Sequence, residues 1–169
     1  MGEDDDRPQG SEIDVDTLEE ARDFLKTHAA EGVSCPVCEQ FVKKYRRPLN
    51  STMVRQLGAL YHYDKKYPRR WAHAPTYLTK LQLDRECAKL RHFGLIRERV
   101  VTDRGDGSKH AGYYRITKLG VAFMDKKAVV PKYVVVYLNK VIKVSKKTTD
   151  VVTALRDKFS YTELMRRAP

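Results

Sequence analysis

No apolar run in this sequence approaches the ~20 residues that a membrane-spanning helix needs, so a membrane protein is not expected. Cysteine is scarce: three residues in 169, two of them placed together as Cys35-Pro-Val-Cys38. That is too few for a disulfide-stapled fold and fits a reducing cytoplasm. Paired carboxylates, a glycine-rich phosphate loop and a nucleophile with a base at a working spacing are all missing, so an enzyme is not expected. The opening Met-Gly followed by acids lacks the features of a secretory signal or a transit peptide. No internal repeat is visible.

What is abundant is positive charge. Lys and Arg number 33 against 22 Asp and Glu, a net of +11. A strongly basic chain calls for an acidic partner, nucleic acid first and an anionic membrane second. The charge is also unevenly spread. Residues 1–31 hold 11 acids and 3 bases, a net of −8, whereas residues 43–118 hold 19 bases and 6 acids, a net of +13. Residues 126–169 hold 11 bases and 3 acids, a net of +8. An acidic arm is thus attached to a basic body. It reads as a solubilising tail, or as a segment that folds back and competes with phosphates.

Four stretches can be told apart: a disordered acidic tail over 1–11; a helix, a cysteine knuckle and a basic strand over 12–49; a central domain over 50–125; and an extension over 126–169. Composition marks the first as unstructured. Ile13, Leu18, Ala21, Phe24 and Leu25 repeat at helical spacing within Glu12–Ala30, with Asp16 or Thr17 as cap. The cysteine knuckle spans Ser34–Gln40, and Phe41–Leu49 is extended and basic.

In the central domain Asn50 or Ser51 caps a helix with the stripe Met53, Leu57, Leu60 and Tyr61, ending near Asp64. A loop, Lys65–Arg70, leads to a short strand, Trp71-Ala72-His73. Pro75 opens a second helix, Thr76–Leu81. Asp84 caps a third, Arg85–Phe93, which Gly94 stops. Leu95–Thr102 alternates as a strand, Asp103–His110 is a polar loop, and Gly112–Ile116 is the return strand. Thr117 caps a fourth helix, Lys118–Asp125. In the extension, Tyr133–Leu138 and Val141–Val144 form a hairpin around Asn139-Lys140. Asp150 caps a closing helix, Val151–Lys158, followed by a turn near Thr162–Arg167.

This order predicts an α+β fold: a winged helix-turn-helix core with an N-terminal helix and a C-terminal hairpin and helix. In that class the second helix of the pair enters the major groove of DNA. At ~100° per residue, Leu83, Cys87, Leu90 and Gly94 face the core. Arg85, Lys89 and His92 then project from the opposite side as a narrow cationic face. Arg85 and Lys89 have the donors for guanine O6/N7 or for phosphate. Arg91 comes out near the buried flank and is assigned to phosphate. The loop Asp103–His110 is the expected wing, with Arg104 and Lys109 toward phosphates or the minor groove. Arg69 and Arg70 add backbone contacts. The plain alternative is that these charges only solvate a surface.

The CxxC spacing is half of a structural zinc site, which takes four ligands. Candidates for the rest are His28, His62, His73, His92, His110 and Cys87. Antiparallel pairing of the Trp71–His73 strand with the return strand would bring His73 toward His110. A site of Cys35, Cys38, His73 and His110 would staple the N-terminal segment to the wing. The rival is a thiolate site shared by two chains, each giving its cysteine pair. Two buried thiols without metal are the ordinary reading.

The chain resembles a family of small bacteriophage proteins described as helix-turn-helix DNA-binding proteins. The likeness lies in CPVCEQFVKKYRRPLNSTM, HAPTYL, AKLRHFGLI, KHAGYYRITKLGVAFM, VPKYVVVYLNKVIKV and ALRDKFSYTELM, and it covers Cys35 to Met165. It implies a winged-helix body in a phage setting. Cys87 departs from the pattern, standing where a larger apolar residue is usual, which favours a core role for it. The combined expectation is a phage-encoded binder of double-stranded DNA in the host cytoplasm. It would be a transcriptional regulator or replication accessory, and a homodimer fits paired half-sites. The alternative is a protein-binding winged-helix module that targets a host protein complex.

Overall fold

A computed structural model describes residues 15–83, 86–100 and 110–166, with the side chains of His110 and Ala111 left out. Within these bounds the chain is mixed α+β with several small antiparallel sheets. It divides into two units. Residues 15–45 with Val136–Lys140 make the smaller one, and Arg46–Val135 with residues 141–166 make the larger.

The smaller unit begins with α1, Leu18–His28. Thr17 caps it: its side chain accepts from Glu20 N–H, while the Glu20 carboxylate accepts from Thr17 N–H. This reciprocal capping box satisfies amides that the first turn leaves unpaired. A two-stranded hairpin follows, β1 (Val33–Ser34) against β2 (Phe41–Val42), with Val33 opposite Val42 and Ser34 opposite Phe41. Gly32 enters it at φ +99°, a region closed to most side chains, and a Cβ there would press on the Phe41 ring. The Lys44 N–H returns to the Ala29 carbonyl at 2.6 Å.

The larger unit is organised around one helix. After β3 (Tyr45–Pro48), α2 runs over Ser51–Lys66. The Asn50 side chain caps α2 by accepting from Met53 N–H at 2.8 Å, a bond worth about 1 kcal/mol to a helix. Met53, Leu57, Leu60 and Tyr61 are all buried, as the stripe predicts. Each large apolar side chain so buried contributes roughly 1.5–3 kcal/mol. Next come β4 (Ala72–His73), α3 (Ala74–Lys80), a 3₁₀ helix (Glu86–Phe93), β5 (Ile96–Val100), β6 (His110–Ile116) and α4 (Lys118–Met124). Strands β4, β6 and β5 form one sheet in that order, antiparallel throughout. The Trp71–His73 segment therefore does pair with the return strand: Ala72 opposes Tyr114 and His73 opposes Tyr113.

The third helix differs from expectation. Glu86–Phe93 winds as 3₁₀, not α. Its buried residues are Cys87, Leu90 and Phe93, three apart each time. A helix of three residues per turn stacks such positions in one line, whereas 100° steps would rotate them off the core. The face expected from an α-helical wheel is redrawn accordingly.

Further strands and helices follow. β7 (Val130–Pro131) pairs with β10 (Thr148–Thr149), while β8 (Tyr133–Tyr137) and β9 (Lys140–Val144) extend a sheet in the order β3–β8–β9. Helices α5 (Val151–Leu155) and α6 (Tyr161–Arg166) pack on α2. The Leu164 side chain lies over Gly58, and the His62 ring bonds its carbonyl at 2.8 Å. Among the described residues no helix is long and apolar enough to cross a membrane.

Candidate nucleic-acid interface

The β4–β6–β5 sheet has a buried and an outer face. Ala72, Tyr114, Ile116 and Ile96 point into the core. The alternate positions point out, because side chains on a strand switch face at every residue. Arg97 lies directly opposite Arg115 in the β5–β6 register. Extending the β4–β6 register by one residue sets Trp71 beside Arg115. The result is a row across three strands, Trp71, Arg115, Arg97, with each guanidinium 5.6 Å from the Trp71 ring.

Arg69 extends this row. Its backbone takes a left-handed conformation, φ +63°, and its carbonyl accepts from Arg115 Nη1 at 3.1 Å. That bond fixes the Arg115 head. Next to the row is an open cavity of about 590 Å³, lined by Arg69, Arg97, Arg115, Lys118 and Lys127, with Asp64 and Asp125 also on its wall. Asp125 accepts from Tyr61 Oη at 2.7 Å, and burial together with that carboxylate pushes the Tyr61 phenol up to about 12. Among the described residues, none of Arg69, Arg97 and Arg115 forms an ion pair with a carboxylate. Two arginines directly opposite on neighbouring strands repel each other. The indole of Trp71, 5.6 Å from both guanidinium groups, offsets part of that through cation–π attraction, about 0.5–1 kcal/mol at an exposed site. The arrangement suits phosphate oxygens, which guanidinium groups bind in pairs of parallel hydrogen bonds.

The expected recognition segment has a different electrostatic state. Arg91 Nη1 donates to Glu98 Oε2 at 2.6 Å, and Glu98 also accepts from Tyr114 Oη at 3.1 Å. The Glu98 side chain is only 8% exposed, so this is a largely buried pair. Desolvation first, then the Glu98 charge, pushes the Tyr114 phenol far up. Lys89 is paired with Glu86, one 3₁₀ turn earlier. His92 is half-buried, and burial, then the charges of Arg91 and Arg47, holds its pKa below the ordinary value. It is neutral near pH 7. Arg70 sits 5.9 Å from the Tyr67 ring. Arg85, Arg104 and Lys109, with the Asp84 cap, lie outside the described residues. So do residues 1–11 and the tip of the expected wing.

The expected zinc ligands fall in both units. Cys35 and Cys38 belong to the smaller one; His73 and His110 belong to the larger. All three cysteines are free thiols. The Cys35 sulfur faces the backbone N–H of Cys38 and then that of Val37, which draws the thiol below its usual range. The His73 Nδ1 lies 2.7 Å from Thr76 Oγ1, and its ring leans on Tyr113. The His110 side chain is outside the described atoms. Among the described residues no group of three or more His, Cys, Asp or Glu stands ready to hold a metal. Cys87 is buried, and that burial pushes its thiol up to about 11, as a core residue requires.

The arginine row does not show in the sequence because it is made by register. Arg97 and Arg115 are 18 positions apart, and only the strand pairing puts them face to face. The available signal was the alternation in LIRERVVT, which sends Arg97 outward. No family model, no curated protein and no solved structure matches the chain.

Proposed function

We propose that the larger unit binds double-stranded DNA as a winged helix, holding phosphates with Arg69, Arg97 and Arg115. The observation that carries this reading is the row Trp71–Arg115–Arg97 beside a cavity rimmed with further cations. Guanidinium groups that form no ion pair among the described residues repel one another and gain from an anion such as phosphate.

Supporting the winged-helix reading is the order α2, β4, α3, 3₁₀ helix, β5, β6, with β6 paired between β4 and β5. Within it, Lys89 and His92 are proposed groove contacts and Arg70 flanks the row; Arg85, Arg104 and Lys109, outside the described residues, are proposed DNA contacts as well. Arg91 is committed to Glu98 and contributes mainly to stability. The protein acts by binding alone, without chemistry of its own. It works as a phage-encoded regulator or replication accessory in the host cytoplasm.

A second reading has its own observation. Strand β9 closes one end of the β3–β8–β9 order, and Val141, Ile142 and Val144 on it are exposed. An apolar edge strand invites a strand from another protein, which suits a module that docks on a host complex.

The two readings separate in one titration. Duplex DNA of mixed sequence is added to the full chain over a salt series, with fluorescence anisotropy as readout. DNA binding predicts that log Kobs falls with log salt at a slope of about −0.9 per phosphate neutralised. Three arginines and their neighbours should give a slope steeper than about −2. Absence of any shift at low salt rejects the DNA reading and leaves the edge-strand one.

A further inference from the structure

We propose that Cys35 and Cys38 are one half of a tetrahedral zinc site that the same two cysteines of a second copy of this chain complete. The site lies within the smaller unit and is independent of DNA binding.

The cysteine pair sits on a preformed turn. Strands β1 and β2 hold its two ends in antiparallel register. The Cys35 N–H donates to the Gln40 carbonyl at 2.9 Å, and the Glu39 N–H donates to the Cys35 carbonyl at 2.8 Å. Glu39 completes the turn in the left-handed region, φ +59°, a conformation adopted at a cost by a residue with a side chain. The turn thereby holds Cys35 and Cys38 three positions apart on one short loop, the spacing of half a structural zinc site.

Two thiolates are not enough. Structural zinc takes four ligands in a tetrahedron, with sulfur at ~2.3 Å. Among the described residues no third His, Cys, Asp or Glu joins the pair. Of the pair, Cys38 is exposed and Cys35 is buried, and Val37 and Phe41 nearby are each 58% exposed, so a partner would meet the site from the Cys38 side. These apolar side chains gain by being covered. A two-fold axis through the metal turns two ligands into four without any further residue, and an isologous contact is the commonest way for like chains to associate. The chemistry balances: four thiols release four protons to solvent and bind one Zn²⁺, leaving a centre of net charge −2. Lys43 and Lys44, just after the hairpin, supply opposite charge.

The test uses the full-length chain, loaded with zinc sulfate and freed of excess metal. Elemental analysis gives zinc per chain, and light scattering gives the mass. The expected result is one zinc per two chains in a dimer that dissociates on chelation. Cobalt replacement should show the charge-transfer intensity of four thiolates. Cys38→Ser should be monomeric and bind no zinc. Should that variant fail to fold, the wild-type stoichiometry and mass still decide. One zinc per chain in a monomer overturns the proposal and points to ligands within one chain, His73 and His110 first. No bound zinc, or a dimer that survives chelation unchanged, also overturns it.

Discussion

Arg91 and Glu98 meet at 2.6 Å, joining the end of the 3₁₀ helix to the middle of β5. The carboxylate of Glu98 is nearly buried and accepts a second bond from Tyr114. Removing Arg91 therefore takes an ion-pair partner from a nearly buried carboxylate. Arg91→Ala should cost about 2–3 kcal/mol of stability, read as a lower urea midpoint with an unchanged m-value. Duplex affinity of the folded fraction should hardly move. A large fall in affinity at unchanged stability would show that Arg91 touches DNA after all.

Gly120 lies in α4 hard against the Leu95 backbone. A Cβ there would be driven into the Leu95 carbonyl oxygen and to 2.6 Å from Ile116 Cγ1. Backbone cannot step aside as a side-chain tip can. Gly120→Ala should destabilise by about 2–3 kcal/mol and lower the melting temperature by several degrees. Gly94→Ala meets its nearest neighbour, Leu119 Cδ2, at an ordinary 3.6 Å and suffers only its φ of +71°, a cost of about 1–2 kcal/mol. If Gly94→Ala were the more destabilised of the two, the packing account of α4 would fail.

His92 makes stability depend on pH. Its folded pKa is depressed by burial and by Arg91 and Arg47, so the unfolded chain takes up the proton more readily. Stability is therefore unaffected well above the ordinary histidine value of 6.5 and declines as pH falls through it. Urea midpoints measured from about pH 7.5 to pH 5 should fall for the wild type and fall less for His92→Gln. Equal slopes for the two proteins would remove His92 from the account.

Much of the fold was legible because caps and stripes are local. Thr17, Asn50, Thr117 and Asp150 each accept the amide bonds of the helix they precede. The hairpin around Asn139 forms with Leu138 and Asn139 both at positive φ. What escaped was decided over distance. Pairing of Val130–Pro131 with Thr148–Thr149 involves two residues a side, too few to leave a pattern. The 3₁₀ winding of Glu86–Phe93 hides in a sequence that also fits an α-helix, since spacings of three serve both. At the candidate site, Arg69 and Arg70 could be named from their charge alone. Arg97 and Arg115 could not, because their meeting depends on how β5 and β6 align.

That alignment brings the three arginines of the proposed phosphate site together, and one variant removes all of their charge. Replacing Arg69, Arg97 and Arg115 together by Gln keeps polar stems beside Trp71 and removes three charges. Wild type and variant are compared in duplex binding over the same salt series, after circular dichroism shows equal folding. The account predicts weaker binding and a log–log slope shallower by about 2–3, since each phosphate that an arginine no longer neutralises takes about 0.9 from it. An unchanged affinity and slope would contradict it and place DNA binding, if any, elsewhere on the chain.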